Sequence, residues 1–191
     1  MTITEKPIQV TNPKLKEYFE RFDEELDALF SFIKAYSEEE LNKKPNEKSW
    51  SVVQVMHHLM ISEEGALNYV KKKLTLGKEH IKKASATSKL RTMLLVSSLK
   101  QPIKLSAPPV ACEGIPDYAN IETTQNQWLQ QRNELYEFLA NQPNEMFEYE
   151  CYKHPITGRM DIWGMLDFFE VHFQRHFKQI HKTAWKVVLV K

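Results

Sequence analysis

Apolar residues return every three or four positions along most of this chain, the spacing of helices that bury one side. Leu15, Phe19, Phe22, Leu26, Leu29, Phe30 and Ile33 form the first stripe, which runs to about Tyr36. It opens at Asn12-Pro13, with Asn as the cap and Pro as the first helical residue. Ser37 to Leu41 reads as a short capped turn, and residues 42–48, which include Pro45, as a loop. A second stripe, Val52, Val55, Met56, Leu59, Glu63, Ala66 and Val70, follows Ser49-Trp50-Ser51, where either serine is able to cap. A third is expected to start at Ile121 or Glu122, with Thr123 or Thr124 near its cap. Trp128, Leu129, Leu135, Phe138 and Leu139 line its inner side, and Pro143 ends it. The fourth lies in Asp161 to Lys182, where Ile162, Leu166, Phe169, Phe173, Phe177 and Ile180 share one face. The following WKVVLVK is expected to be a short tail across a helix end.

The segments between the stripes are less regular. Ser88 to Leu99 is apolar enough for a short helix. Lys100 to Tyr118 holds four prolines and cannot be regular. It reads either as a segment covering one end of the protein or as a packing loop. Residues 144–159 are expected to be a connector. Four amphipathic helices, each able to bury its stripe only against the others, predict an all-α fold. The specific expectation is a four-helix bundle with a long crossover between helices 2 and 3. No repeat or low-complexity segment divides residues 1–191, so one domain is expected.

Composition narrows the function classes. At 191 residues, with 42% hydrophobic and 27% charged, the chain suits one domain with a full core. The net charge of +1 gives no electrostatic case for nucleic acid or an anionic membrane as principal partner. No run approaches 18 consecutive apolar residues, so no membrane span is predicted. The first ten residues lack the basic start and apolar run of a signal peptide. Cys112 and Cys151 are isolated, and a cytoplasmic, reducing location is the expectation.

The candidate chemistry sits in the fourth stripe. His172 and His176 are four residues apart, hence one turn above each other on the same side of a helix. At about 100° per residue, both fall on the flank of the buried face. Two imidazoles so placed can reach one metal ion, and buried imidazoles need partners. On the second helix, His57 and His58 lie on opposite flanks, and periodicity alone does not choose between them. Neither cysteine lies near the histidines, and no Ser-His-Asp or Cys-His arrangement is apparent.

Three segments, taken together and in order, resemble the DinB/YfiT-like superfamily of helical bundles, which includes thiol-dependent S-transferases. They are Trp50-Ser-Val-Val-Gln-Val-Met-His-His-Leu59, His154-Pro-Ile-Thr-Gly158, and His172-Phe-Gln-Arg-His176 with Gln179-Ile180. The resemblance spans about residues 15–182. It implies a bundle with its crossover after the second helix and a divalent metal held by three histidines. Carried over by position, these are His58, His172 and His176, His58 being preferred because the family histidine precedes leucine. Many members of that family are dimers, so a homodimer is a further expectation.

Neutral imidazole suits zinc, nickel or iron, and three protein ligands leave a position open for water or substrate. Such an ion can turn a bound thiol into a thiolate or lower the pKa of bound water to about 7. The expected function is a metal-dependent enzyme that transfers a low-molecular-weight thiol to an electrophilic small molecule. Metal-assisted hydrolysis is the alternative among enzymes. A non-catalytic bundle that binds a small molecule or a partner subunit is the alternative outside them. Around the site, Trp50 reads as a core anchor or a ligand contact. His154 either fixes the connector through a hydrogen bond or meets the cofactor. Arg132 either meets an anionic cosubstrate or forms a surface salt bridge. Glu63, Glu64, Asp167 and Glu170 either orient ligand imidazoles or are solvated.

Overall fold

The computed structural model describes residues 8–101 and 113–189. Six α-helices occur among them: α1 (Pro13–Ile33), α2 (Glu38–Asn42), α3 (Val52–Leu74), α4 (Ala86–Lys100), α5 (Ile121–Ala140) and α6 (Ile162–Leu189). The four amphipathic stripes are α1, α3, α5 and α6. Helix α1 packs on α5 and α6, and α3 packs on the same two, so the four enclose the core. The crossover from α3 to α5 carries α4, which lies along α6. No helix among the described residues is long and apolar enough to cross a membrane.

The caps set where the helices begin. Asn12 accepts the backbone N–H of Leu15 at 3.2 Å, with Pro13 following as the first helical residue. For α3 the cap is Ser51, not Ser49. Its hydroxyl accepts from Gln54 N at 3.1 Å while the Gln54 side chain accepts from Ser51 N at 3.2 Å, so two orphan donors are satisfied at once. For α5 the cap is Asn120, whose side-chain oxygen accepts from Thr123 N at 2.9 Å, rather than either threonine. Asparagine outranks threonine at this position.

Two further expectations need correction, and a third gains detail. The connector over 144–159 is not irregular throughout. It contains a 3₁₀ turn over Asn144–Glu148 and an antiparallel hairpin, β1 (Tyr152–His154) and β2 (Gly158–Met160). Gly158 sits at φ +88°, a backbone conformation that disfavours a side chain. Leu129, expected inside, is 45% exposed. The final apolar run is not a separate tail: α6 continues to Leu189, with Thr183, Ala184 and Val187 buried. No glycine or proline interrupts the helix after Lys182, so the stripe extends by another two turns.

Two apolar clusters fill the bundle. One gathers Phe19, Phe22, Leu135, Phe147, Leu166 and Phe169, among others. The second gathers Leu29, Val52, Met56, Trp128, Phe173 and Ile180. Helix α4 comes unusually close to α6. A Cβ on Gly164 would lie 2.6 Å from Thr92 Oγ1, which only a missing side chain tolerates. The Arg175 guanidinium then donates to the carbonyls of Leu99 (3.2 Å) and Gln101 (2.9 Å), serving the free acceptors at the end of α4. The proposed covering segment, Lys100 to Tyr118, falls largely on residues 102–112, outside the described residues.

Candidate metal centre

His58 comes from α3, and His172 and His176 come from successive turns of α6. Their ring centroids lie 5.1 Å (His58–His172), 4.7 Å (His58–His176) and 4.6 Å (His172–His176) apart. Nε2 of His58 is 3.2 Å from Nε2 of His172. Two nitrogens about 2.0–2.1 Å from one tetrahedral ion would be about 3.3 Å apart. One candidate ligand atom from each histidine can be chosen so that all lie within 4.8 Å of one another. Ligands on a common ion lie within about 4 Å of one another, so closure needs ring movements of under about 1 Å. The three side chains therefore form a group that could hold a metal, and among the described residues no carboxylate belongs to it.

The surroundings keep the imidazoles of His172 and His176 neutral. Burial, reinforced by the neighbouring His176 and His58, holds His172 well below the usual histidine range. Burial likewise brings His176 down to about 3, with His58 adding to the effect. Neutral rings are the form a metal requires. His176 Nδ1 is 2.8 Å from the side-chain oxygen of Gln179, an acceptor. That contact places the proton on Nδ1 and leaves Nε2 free for coordination. Gln179 was missed as an orienting residue, although its position three residues after His176 puts it on the same side of the helix.

Aromatic walls close the sides. The Trp50 ring lies 5.0 Å from His58, so this residue touches the site as well as anchoring the start of α3. Phe168, one turn before His172, stacks on it at 4.8 Å with 23° between the planes. His154 meets the same Phe168 edge-on at 4.7 Å. Its Nδ1 accepts the backbone N–H groups of Ile156 (3.2 Å) and Thr157 (3.3 Å), which is the connector-fixing role foreseen for it.

His57 points elsewhere, with its Nε2 3.2 Å from Thr124 Oγ1 on α5. Arg132 does not form a surface salt bridge. It is 2% exposed and donates to Glu63 at 2.6 Å, with its guanidinium 4.6 Å from the centre of the Phe22 ring. Glu63 is neither solvated nor bonded to an imidazole, because its second oxygen accepts from Trp128 Nε1 at 3.2 Å. Asp167 accepts from the Tyr18 hydroxyl, and Glu170 pairs with Arg21 at 3.3 Å. Glu63, Asp167 and Glu170 thus have partners away from the triad, and Glu64 is exposed.

A helical bundle with three histidines converging from two of its helices belongs to a class of folds able to hold a metal ion between packed helices. The DinB superfamily profile matches residues 21–180, and the chain belongs to that superfamily. It is also similar to YuaE of Bacillus subtilis (strain 168), an uncharacterized protein, with 23% identity over 166 residues. That similarity covers 87% of this chain and 96% of YuaE. Membership fits a metal-binding helical protein.

Proposed function

We propose that this chain is a metal-dependent enzyme that transfers a low-molecular-weight thiol to an electrophilic small molecule, with His58, His172 and His176 as the metal ligands. The observation that carries the reading is the convergence of three imidazoles, unaccompanied by a carboxylate among the described residues. A divalent ion such as zinc or nickel held there keeps its charge uncompensated and favours the ionised form of a thiol that binds it. Hydrolysis would also call for a general base to manage the proton of water. Among the described residues no carboxylate joins the triad to serve as that base, whereas a thiol with a pKa near 8.5 needs only a modest shift. Within this reading, Gln179 orients His176 and the rings of Trp50 and Phe168 exclude water from two sides. The substrate is a small molecule, the setting is the cytoplasm, and a homodimer is compatible with the family's habits.

The test uses protein purified without a histidine tag. Metal analysis is expected to find close to one zinc or nickel per chain after supplementation. His172→Ala with His176→Ala should abolish binding while circular dichroism keeps the helical signal. Conjugation of cysteine to monochlorobimane, followed by fluorescence, should be accelerated by the loaded wild type only. Metal below about 0.2 per chain after supplementation would refute the centre. A loaded protein without conjugating activity towards a panel of thiols would refute the transfer reaction alone.

A further inference from the structure

His154 ends β1 on its buried side and is only 6% exposed. Strand β1 packs against α3, and the His154 ring reaches Phe168 on α6. The residue is therefore wedged between the two helices that supply the triad, near enough that a charge on it would disfavour one on His172. Its hydrogen bonds decide its tautomer. Nδ1 accepts from two backbone N–H groups, so it cannot carry the proton, and the neutral ring bears it on Nε2. Burial brings its pKa down to about 4, which keeps that form at neutral pH. Nε2 lies across the ring from the turn and has no hydrogen-bond partner among the described residues. That N–H is left available to an acceptor. The hairpin holds the ring rigidly, through the Tyr152–Met160 register and the turn at Gly158.

We propose that His154 is the orienting donor for the ligand of the histidine centre, its Nε2–H donating to a carboxylate on a molecule whose other end binds at the metal. The inference rests on the metal-site reading above and adds the substrate class: short thiols that carry a carboxylate near the sulfur. A donor-only neutral group selects an acceptor and rejects an ammonium. The triad has no carboxylate of its own among the described residues, so an anionic ligand meets a site of complementary charge.

The test loads the protein with cobalt(II), whose visible spectrum reports ligand binding, and titrates it with 2-mercaptoacetate and with propanethiol. His154→Asn separates the two roles of the ring. Its side-chain oxygen can still accept backbone N–H groups two residues on, as in an Asx turn, but nothing replaces the Nε2 donor. This variant should bind mercaptoacetate about tenfold more weakly and propanethiol as the wild type does, the loss expected for a hydrogen bond to a charged group. His154→Gln, which returns an N–H near the Nε2 position, should recover most of the difference. In zinc-loaded wild type, the His154 Nε2–H proton resonance should move downfield with mercaptoacetate and not with propanethiol. That readout needs no variant to fold. Equal binding of both probes by His154→Asn and wild type, or equal weakening of both, would overturn the inference, as would an unmoved resonance. A wild type that takes up no cobalt or zinc refutes the metal centre and this inference together. One that takes up metal without preferring mercaptoacetate refutes the inference alone.

Discussion

Replacing Glu63 by leucine tests how the interior of the bundle is held. Glu63 is 4% exposed and serves two partners, Arg132 at 2.6 Å and Trp128 Nε1 at 3.2 Å. Glu63→Leu leaves the Arg132 charge buried without its counter-ion, a loss of about 3–5 kcal/mol. It also strands the indole N–H, for about 1–3 kcal/mol more. The sum, about 4–8 kcal/mol, is comparable with the whole stability of a typical domain, about 5–15 kcal/mol. Glu63→Leu combined with Arg132→Met removes both charges and keeps the volume apolar. Arg132 Nε and Nη1 are buried without hydrogen-bond partners, so the native pair does not fully offset its own desolvation. The double variant should therefore recover to within about 1–3 kcal/mol of wild type, the residue being the stranded Trp128. Urea unfolding followed by circular dichroism at several protein concentrations gives the four free energies of the cycle. A coupling energy below about 1 kcal/mol, or a Glu63→Leu protein as stable as wild type, would refute the argument.

Glu25 offers a pH test that does not involve the triad: burial raises its carboxyl to about 8. Because the folded value lies above the unfolded one, the folded state holds a proton that the unfolded state releases. That stabilisation is complete below about pH 4.5 and is lost as pH rises through 8. Glu25→Gln should flatten the loss of stability between pH 6 and 9 by about 2–3 kcal/mol, read from urea midpoints across pH; an unchanged slope would contradict it. Gln179→Leu should leave helicity intact and weaken zinc binding about 10–100-fold, as found for other removed orienting partners, measured by competition with a chromogenic chelator. Gly164→Val should cost about 1–3 kcal/mol by driving α4 away from α6 at Thr92, read as a lower thermal midpoint.

The four main helices were legible because each stripe is long enough for its period to stand out, and the α1 cap was legible because Asn12-Pro13 can do little else. Shorter features were not. The β1–β2 hairpin spans three residues per strand, too few for alternation to show, and a Pro–Gly turn alone does not distinguish a hairpin from a loop. At the site, the spacing of His172 and His176 carried the information, since one helix fixes both. The choice of His58 over His57 could come only from resemblance, because which flank of α3 faces α6 is a tertiary fact. Arg132 was misread for a similar reason. Charge suggests a surface position, and burial becomes tolerable only with a partner sixty-nine positions away in Glu63.

His58 and Glu63 explain why one helix serves both centres. Five residues at about 100° each set their side chains about 140° apart around α3. One therefore faces α6 and the histidines, and the other faces α5 with Trp128 and Arg132. The charged pair is closed on itself on the α5 side. On the α6 side the imidazoles of His172 and His176 are kept neutral by burial, so an arriving divalent ion brings the only full charge to that group. A carboxylate one turn from His58 on the same face would stand beside the triad and offset part of the charge of any ion held there. Under the proposed function, the separation around α3 would preserve the electrophilic character on which ionising a bound thiol depends.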